Sequence, residues 1–216
     1  MTITYPLELP SYRATDTDFN LTNVDAYNAL GSGSGFATEI APPYWDASVS
    51  IHSMANLEQG YWDGFFDKLR GQKKSFLMYD ANRPTPITYP NVVGMALPLG
   101  GSFDGSGGIV SFTDVRTVNA NGFPANFQLI TGDYISFVEN GKYSLHRVSD
   151  DALGDSNGAI TIPFEPYVNT DIFDTSAVIW VYHAKGEFIL KAGSAPSRAR
   201  NVEMKPVSFA AVSRVQ

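Results

Sequence analysis

Between Tyr44 and Tyr79 the spacing of apolar and polar positions changes period twice. Tyr44-Trp45-Asp46-Ala47-Ser48-Val49-Ser50-Ile51 alternates residue by residue, the periodicity of a strand with one covered face. From Met54 to Arg70 the apolar positions recur as on a helix. Leu57, Tyr61, Phe65 and Leu69 make one stripe, Met54, Trp62 and Phe66 widen it, and Glu58, Asp63, Asp67 and Lys68 are polar. Ser53 suits the N-cap, where its hydroxyl can satisfy a free amide, and Gly71 suits the left-handed residue that ends a helix. Ser75-Phe76-Leu77-Met78-Tyr79 returns to strand. A helix of these roughly 17 residues would be about 26 Å long, enough to cover one sheet. Gly60 and Gly64 each cost about 1 kcal/mol relative to Ala in a helix. Two such losses four residues apart lead to the expectation that another backbone packs closely there.

No other stretch has a clear helical period. Residues 1–17, with Pro6 and Pro10, read either as an extended arm ending near Tyr12, lying on this chain or on a neighbouring subunit, or as a disordered segment. Phe19 to Leu30 is a strand with a break, Gly31-Ser32-Gly33-Ser34-Gly35 a flexible turn, and Phe36 to Ile40 a second strand. Ala41-Pro42-Pro43 is expected to kink the chain before Tyr44. Asn82-Arg83-Pro84-Thr85-Pro86 closes this unit. Residues 87–107, with the glycine cluster Gly100 to Gly108 at their end, are expected to form an exposed loop between two modules. Short strands then follow: Ile109 to Val118, Phe127 to Ile130, Tyr134 to Val138, Lys142 to Val148, Ala159 to Phe164, Ala177 to His183, Glu187 to Lys191 and Val202 to Val212. Asn140-Gly141 between two alternating runs is a strong hairpin signal. Strands at roughly 8- to 15-residue intervals imply a sandwich or small barrel.

Composition adds an expectation of assembly. In 216 residues, charged side chains make up only 17%, against about 25% in an ordinary soluble domain, while there are 14 Phe, 11 Tyr and 3 Trp. Aromatics are enriched, and Lys and Glu depleted, where subunits meet. A net charge of −7 argues against nucleic-acid binding, which needs a basic footprint. With no cysteine, disulfides, thiolate metal sites and a cysteine nucleophile are excluded, and assembly in a reducing cytoplasm is the expectation. The start, Met-Thr-Ile-Thr-Tyr-Pro, has neither a basic nor an apolar signal region. No run nears the roughly 20 apolar residues of a membrane span, so a soluble protein without membrane insertion is expected.

Candidate chemistry is sparse. His52, His146 and His183 are far apart and none has a second ligand at short spacing, so no metal site is expected; His146 reads as a solvated or interface position. In Gly31-Ser32-Gly33-Ser34-Gly35 the position a nucleophile elbow needs as serine is Gly33. Asp150, Asp151, Asp155 and Asn157-Gly158 loosely match a calcium loop but lack its register and distal Glu, and read better as a polar turn. Glu58, Asp63 and Asp67 could be imagined as a glycosidase acid pair, but a solvated helix face explains them. Gly100 to Gly108 lacks the lysine and the strand-to-helix context of a phosphate loop. No catalytic residue, cofactor or metal is expected.

Several blocks taken together carry a family likeness. Tyr44-Trp45-Asp46-Ala47-Ser48-Val49, the helix ending Phe65-Phe66-Asp67-Lys68-Leu69-Arg70-Gly71, and Ser75-Phe76-Leu77-Met78-Tyr79-Asp80 come first. Thr131-Gly132-Asp133-Tyr134-Ile135, His146-Arg147-Val148, Asp155-Ser156-Asn157-Gly158 and Ile162-Pro163 follow. In order and spacing these blocks, spanning 44–163, resemble minor tail proteins of the siphophage tail tip, most of all distal tail proteins. The resemblance implies a mainly β fold with one long α-helix: a β-sandwich or split-barrel module carrying the helix, plus a small β-barrel module. It divides the chain into a ring-forming module of residues 1–95 with 186–216 and a barrel of 96–185. It implies a structural virion component, a hexameric ring joining the tail tube protein to the tail hub protein and the receptor-binding apparatus of the baseplate. Partners would be copies of itself and those tail-tip proteins. Trp45, Leu57, Gly60, Tyr61, Gly64, Phe65 and Leu69 are the candidate packing and interface positions.

The alternative is a carbohydrate- or receptor-binding module of the tail tip. Its motivation is a set of aromatics, Tyr44, Tyr61, Trp62, Tyr89, Phe103 and Phe123, that could stack on sugars if they lie in loops. An enzyme comes third.

Overall fold

A computed structural model describes residues 3–10, 14–29, 35–51, 56–194 and 207–214, without the side chains of Ala14, Thr15, Asn56 and Leu57. The chain is mainly β. In order, the described elements are β1 (Leu7–Glu8), β2 (Ala14–Ala29), β3 (Gly35–Ile51), α1 (Asn56–Leu69) and β4 (Phe76–Met78). Next come β5 (Ser106–Asp114), β6 (Thr117–Asn121), β7 (Gln128–Leu129), β8 (Tyr134–Glu139) and β9 (Lys142–Val148). Last are β10 (Ala152–Leu153), β11 (Ile160–Glu165), β12 (Val178–Trp180), β13 (Gly186–Leu190) and β14 (Val207–Ser213). One sheet has the order β1-β4-β13-β14-β3-β2, all antiparallel except the short β1–β4 pair. The strands β11-β6-β5-β12-β8-β9 close a barrel, and β7 pairs with β10 beside it.

The alternation from Trp45 to Ile51 does what its period requires. Trp45, Ala47, Val49 and Ile51 are buried on one face, while Asp46, Ser48 and Ser50 lie on the other. The helix packs on the buried face. Phe65 meets Phe76 with ring centroids 5.6 Å apart, Phe66 meets Phe209 at 5.4 Å, and Trp62 meets Phe209 at 6.1 Å. Leu69 is fully buried. Tyr61, expected in the same stripe, is 63% exposed. The cause is geometric: at about 100° per residue a four-residue step overshoots a full turn by about 40°. A stripe of three such steps therefore winds off the core face, which instead runs through Trp62, Phe65, Phe66 and Leu69. Both Arg70 (φ 52°) and Gly71 (φ 70°) are left-handed where the helix ends. Ser53, Met54 and the side chain of Leu57 lie outside the described residues.

Three further expectations are corrected. Ala41-Pro42-Pro43 does not break the strand; β3 runs through it. The pairing passes from Thr22–Tyr44 to Val24–Ala41, so the two prolines bulge opposite Asn23. Proline has no amide hydrogen to give to a ladder, and a bulge is where a sheet tolerates it. Residues 87–107 are not simply an exposed linker: Val92 and Phe103 are buried in the barrel core, and Tyr89 stacks on Phe127 at 4.7 Å. Ile109 to Val118 is not one strand but parts of two, turning at Val115 and Arg116. The Asn140-Gly141 turn forms as expected, with φ of 49° and 76°.

Of the N-terminal arm, the described part lies on its own chain. The Leu7 amide donates to the Ser75 carbonyl at 3.1 Å, the Tyr5 hydroxyl donates to the Lys68 carbonyl at 2.8 Å, and the Lys74 ammonium sits 4.7 Å from the Tyr5 ring centre.

Candidate functional site

Three regions could carry function: the seam between sheet and barrel, the groove along that seam, and the far half of the β2–β3 hairpin. The seam is built from residues that strand alternation turns outward from the barrel. Tyr134 and Arg147 are register partners on β8 and β9, as are Ser136 and Leu145. The Trp45 indole donates to the Leu145 carbonyl at 2.7 Å. The Arg147 guanidinium donates to the Phe19 carbonyl at 2.9 Å and to the Tyr134 hydroxyl at 2.6 Å, and lies 4.8 Å from the Trp45 ring centre. One cation thus joins an edge strand of the sheet, the sheet's central tryptophan and the barrel wall, away from water, where such contacts are strongest. The buried Asp133 carboxylate accepts from the Ile87 amide at 2.8 Å and the Ile130 amide at 2.9 Å. Burial pushes its pKa up despite those two donors. These groups fasten the two modules; none is placed as an acid, base or nucleophile toward a substrate.

Along the seam, a cleft of about 290 Å³ lies between Pro42, Pro43 and Trp45 on one side and Tyr143, Pro166 and Tyr167 on the other. Tyr143 also lines a second groove of about 360 Å³, with Trp180, Tyr182, His183, Lys185 and Ser136.

The far half of the hairpin has a different character. From Asp46 to Ile51, β3 lies between β2 and β14; on the other side of the Pro42-Pro43 bulge, from Gly35 to Ala41, it pairs with β2 alone, and β2 has no strand on its outer side among the described residues. Every residue from Gly35 to Pro42 is exposed. Tyr27 is 68% exposed, Phe36 54% and Ile40 66%. Asp25 and Glu39 are direct cross-strand partners, a like-charge pairing that costs a hairpin stability unless something else meets the charge. Only one side-chain hydrogen bond ties this half to the rest of the described chain, from the Tyr167 hydroxyl to Glu39 at 3.0 Å.

No protein-family model and no curated protein matches this chain.

The expected positions therefore scatter. Trp45 is the anchor of the seam, while Phe65 and Leu69 are core of the sheet–helix layer. Tyr61, Gly60 and Gly64 are on the open side of the helix. A Cβ built on either glycine meets nothing within 4 Å, so none of the described residues packs closely there. Trp62, Phe103 and Phe123, weighed as sugar platforms, are buried in cores. His146 is not solvated but wholly buried in the barrel between the Phe137 and Phe164 rings, each 4.9 Å away, with Nδ1 2.7 Å from the Pro166 carbonyl. Burial lowers its pKa to about 4, leaving it neutral. His183 stacks between Tyr79 and Tyr182, and His52 lies outside the described residues. Asp155 forms a polar turn, accepting from the amides of Asn157 at 2.8 Å and Ala159 at 2.9 Å. Among the described residues no group of three or more His, Asp or Glu could hold a metal ion, and no helix is long and apolar enough to cross a membrane. Arg147 and Asp133 went unread as seam residues, although each falls in a block of the family likeness. Outward alternation on two paired strands was the only signal for Arg147.

Proposed function

We propose that this chain is a structural subunit of a phage tail tip, closing with copies of itself into a ring, six-membered by the resemblance, between tail tube and hub. The observation that carries the reading is the far half of the β2–β3 hairpin. A two-stranded ribbon is marginal on its own in water, and an unpaired edge of this length is one that monomers blunt or cover. Here, among the described residues, neither edge has a further strand, and the ribbon carries the exposed Tyr27, Phe36 and Ile40. A neighbouring protomer that supplies apolar cover, and a cation near Asp25 and Glu39, would relieve both liabilities at once. A contact between two different surfaces repeats from copy to copy, and a ring is its closed form. The helix braces the sheet from which the hairpin springs, and the Trp45–Arg147 seam holds the barrel in a fixed relation to it. Low charge and abundant aromatics support the same reading.

Native mass measurement tests it. Rings of a single stoichiometry are the expected result, together with a ring of this chain in assembled particles. A chain that stays monomeric at high micromolar concentration and forms no ring in particles would overturn the proposal.

A further inference from the structure

We propose that the groove between Tyr143 and Trp180 is a saccharide-binding site that takes one neutral pyranose unit of a glycan. The site is independent of the ring reading and uses none of the aromatics that the sequence put forward for sugar binding.

Its geometry follows from the register. On β8, Ser136 and Val138 both face outward; Trp180 on β12 is the direct partner of Ser136, and Tyr143 on β9 is the direct partner of Val138. The tryptophan and the tyrosine therefore rise from the strands on either side of β8, two strand spacings apart and offset by two residues along it, about 12 Å between their backbones. Tyr182 and His183 continue the wall where the chain leaves β12. The enclosed volume of about 360 Å³ is of small-ligand size. Half-buried aromatic rings of this kind offer flat apolar faces to the C–H face of a sugar.

The polar groups decide the ligand class. Ser136, which lines the groove, is 1% exposed, and its hydroxyl makes no hydrogen bond in the protein. Buried hydroxyls are nearly always paired, with protein or with ordered water, so this unpaired one, in a residue that lines the groove, is a hydrogen-bonding position open to a water or a ligand hydroxyl. The Lys185 ammonium is held by both carboxylate oxygens of Glu8, at 2.8 and 3.0 Å, so the only cation in the groove is already neutralised. The His183 ring is sandwiched between Tyr79 and Tyr182, with centroids 4.2 and 3.9 Å away, so its edge is what it can present. Burial and Lys185 lower its pKa, so that edge carries one donor and one acceptor at neutral pH. Flat aromatic walls, a free hydroxyl, a neutral imidazole edge and no net charge match a polyhydroxylated neutral ring. They do not match a phosphate, which would need a free cation.

The test is calorimetric titration of the full chain with neutral hexasaccharides built from glucose, galactose or rhamnose. At least one is expected to bind with Kd between about 10 µM and 1 mM, the range of a small contact. Trp180→Ala and Tyr143→Ala should each weaken it about tenfold or more. Ser136→Ala, which removes one unpaired buried oxygen and should not lower the unfolding temperature, should weaken it at least about threefold. No heat or chemical-shift change with any of the three sugars at 10 mM would overturn the proposal. So would binding that survives both Trp180→Ala and Ser136→Ala. A third overturning result is a groove occupied by a second copy, seen as loss of self-association in Trp180→Ala with no sugar binding by the parent chain.

Discussion

The two halves of the β2–β3 hairpin are made of the same two strands and have opposite fates. From Thr17 to Leu21 and from Trp45 to Ile51 every second side chain is wholly or partly buried, and a third strand, β14, continues the sheet. From Asp25 to Ala29 and from Gly35 to Pro42 no side chain is fully buried, although Tyr27, Phe36 and Ile40 are as apolar as anything in the first half. The boundary is chemical. Pro42 and Pro43 cannot donate to a neighbouring strand, and β3 loses β14 just before them, with the Trp45 amide turning to the Ser213 hydroxyl at 2.8 Å. Apolar content alone thus does not make a core. It makes one only where a second layer arrives, and in the first half the helix and the barrel both do.

The largest effects should fall on the covered half. Trp45→Ala should cost about 3–5 kcal/mol of unfolding free energy, as for other buried aromatics. Trp45→Phe, which mainly leaves the Leu145 carbonyl unpaired, should cost about 1–3 kcal/mol. Phe65→Ala belongs with Trp45→Ala at about 3–5 kcal/mol, and Tyr61→Ala, one helical turn before it, should cost under about 0.5 kcal/mol. Urea unfolding of the four variants checks this. Equal costs at Phe65 and Tyr61 would mean that the helix face is misplaced.

Which half was covered was legible in one place and hidden in another. The strict alternation of Trp45, Ala47, Val49 and Ile51 announced a buried face, and the helix that buries it was visible from its own period. The exact face was not, because residues four apart drift around a helix and Tyr61 is as apolar as Trp62. Residues 19–30 and 36–40 looked like strands, and the described residues among them, 19–29 and 36–40, are strand. Their sequence, however, holds no sign that one end of the hairpin has lost its cover, since burial by a second layer is a long-range property. The same reason hid His146: a histidine among Leu145 and Arg147 reads as polar surface, and only closure of the barrel puts Phe137 and Phe164 around it. The Ser136 groove was equally unreadable, being assembled from three strands and a loop.

Acid separates the barrel, against which the covered half rests, from the free half. His146 is neutral when folded, with its pKa lowered by burial to about 4. In the unfolded chain it takes up a proton near pH 6.5. The unfolded state therefore binds more protons between those values. Stability is complete above pH 6.5 and falls as pH drops toward 4, by about 3 kcal/mol from this group. Asp133, whose pKa burial raises above the ordinary carboxyl value, acts in the opposite direction, since its folded form takes up a proton before the unfolded form as pH falls. Urea midpoints at pH 7.5 and 4.5 measure the loss, and His146→Phe should flatten it. An unchanged pH slope in that variant would show that other groups carry the acid response.

The helix offers a smaller test of what lies over uncovered surface. Gly60 and Gly64 have open space where a Cβ would sit. Each change to Ala should therefore stabilise the monomer by up to about 1 kcal/mol. If a neighbouring copy lies against this side, the same changes should weaken the oligomer while strengthening the protomer. Stabilisation of both monomer and oligomer would free the helix from any part in assembly.

The smallest effect on folding should come from the half of the hairpin that nothing covers, and there the comparison is sharpest. Phe36→Ser, Ile40→Ser and Tyr27→Ser remove apolar area already in water, so each should move the unfolding free energy by no more than about 0.5 kcal/mol. Replacing residues 25–39 with a two-residue Asn-Gly turn should cost the protomer no more than about 1 kcal/mol, because the described parts of that segment, 25–29 and 35–39, supply no fully buried side chain. The same changes should abolish or weaken ring formation in native mass spectra, since a neighbour's gain is the only return on exposing those side chains. A folded, truncated chain that still assembles would leave the hairpin without a role in the ring and move the search to the open face of the sheet around Ser48, Ser50 and Ser208. If the truncation unfolded the protomer instead, the two halves would be one cooperative unit and the contrast between them a matter of exposure alone.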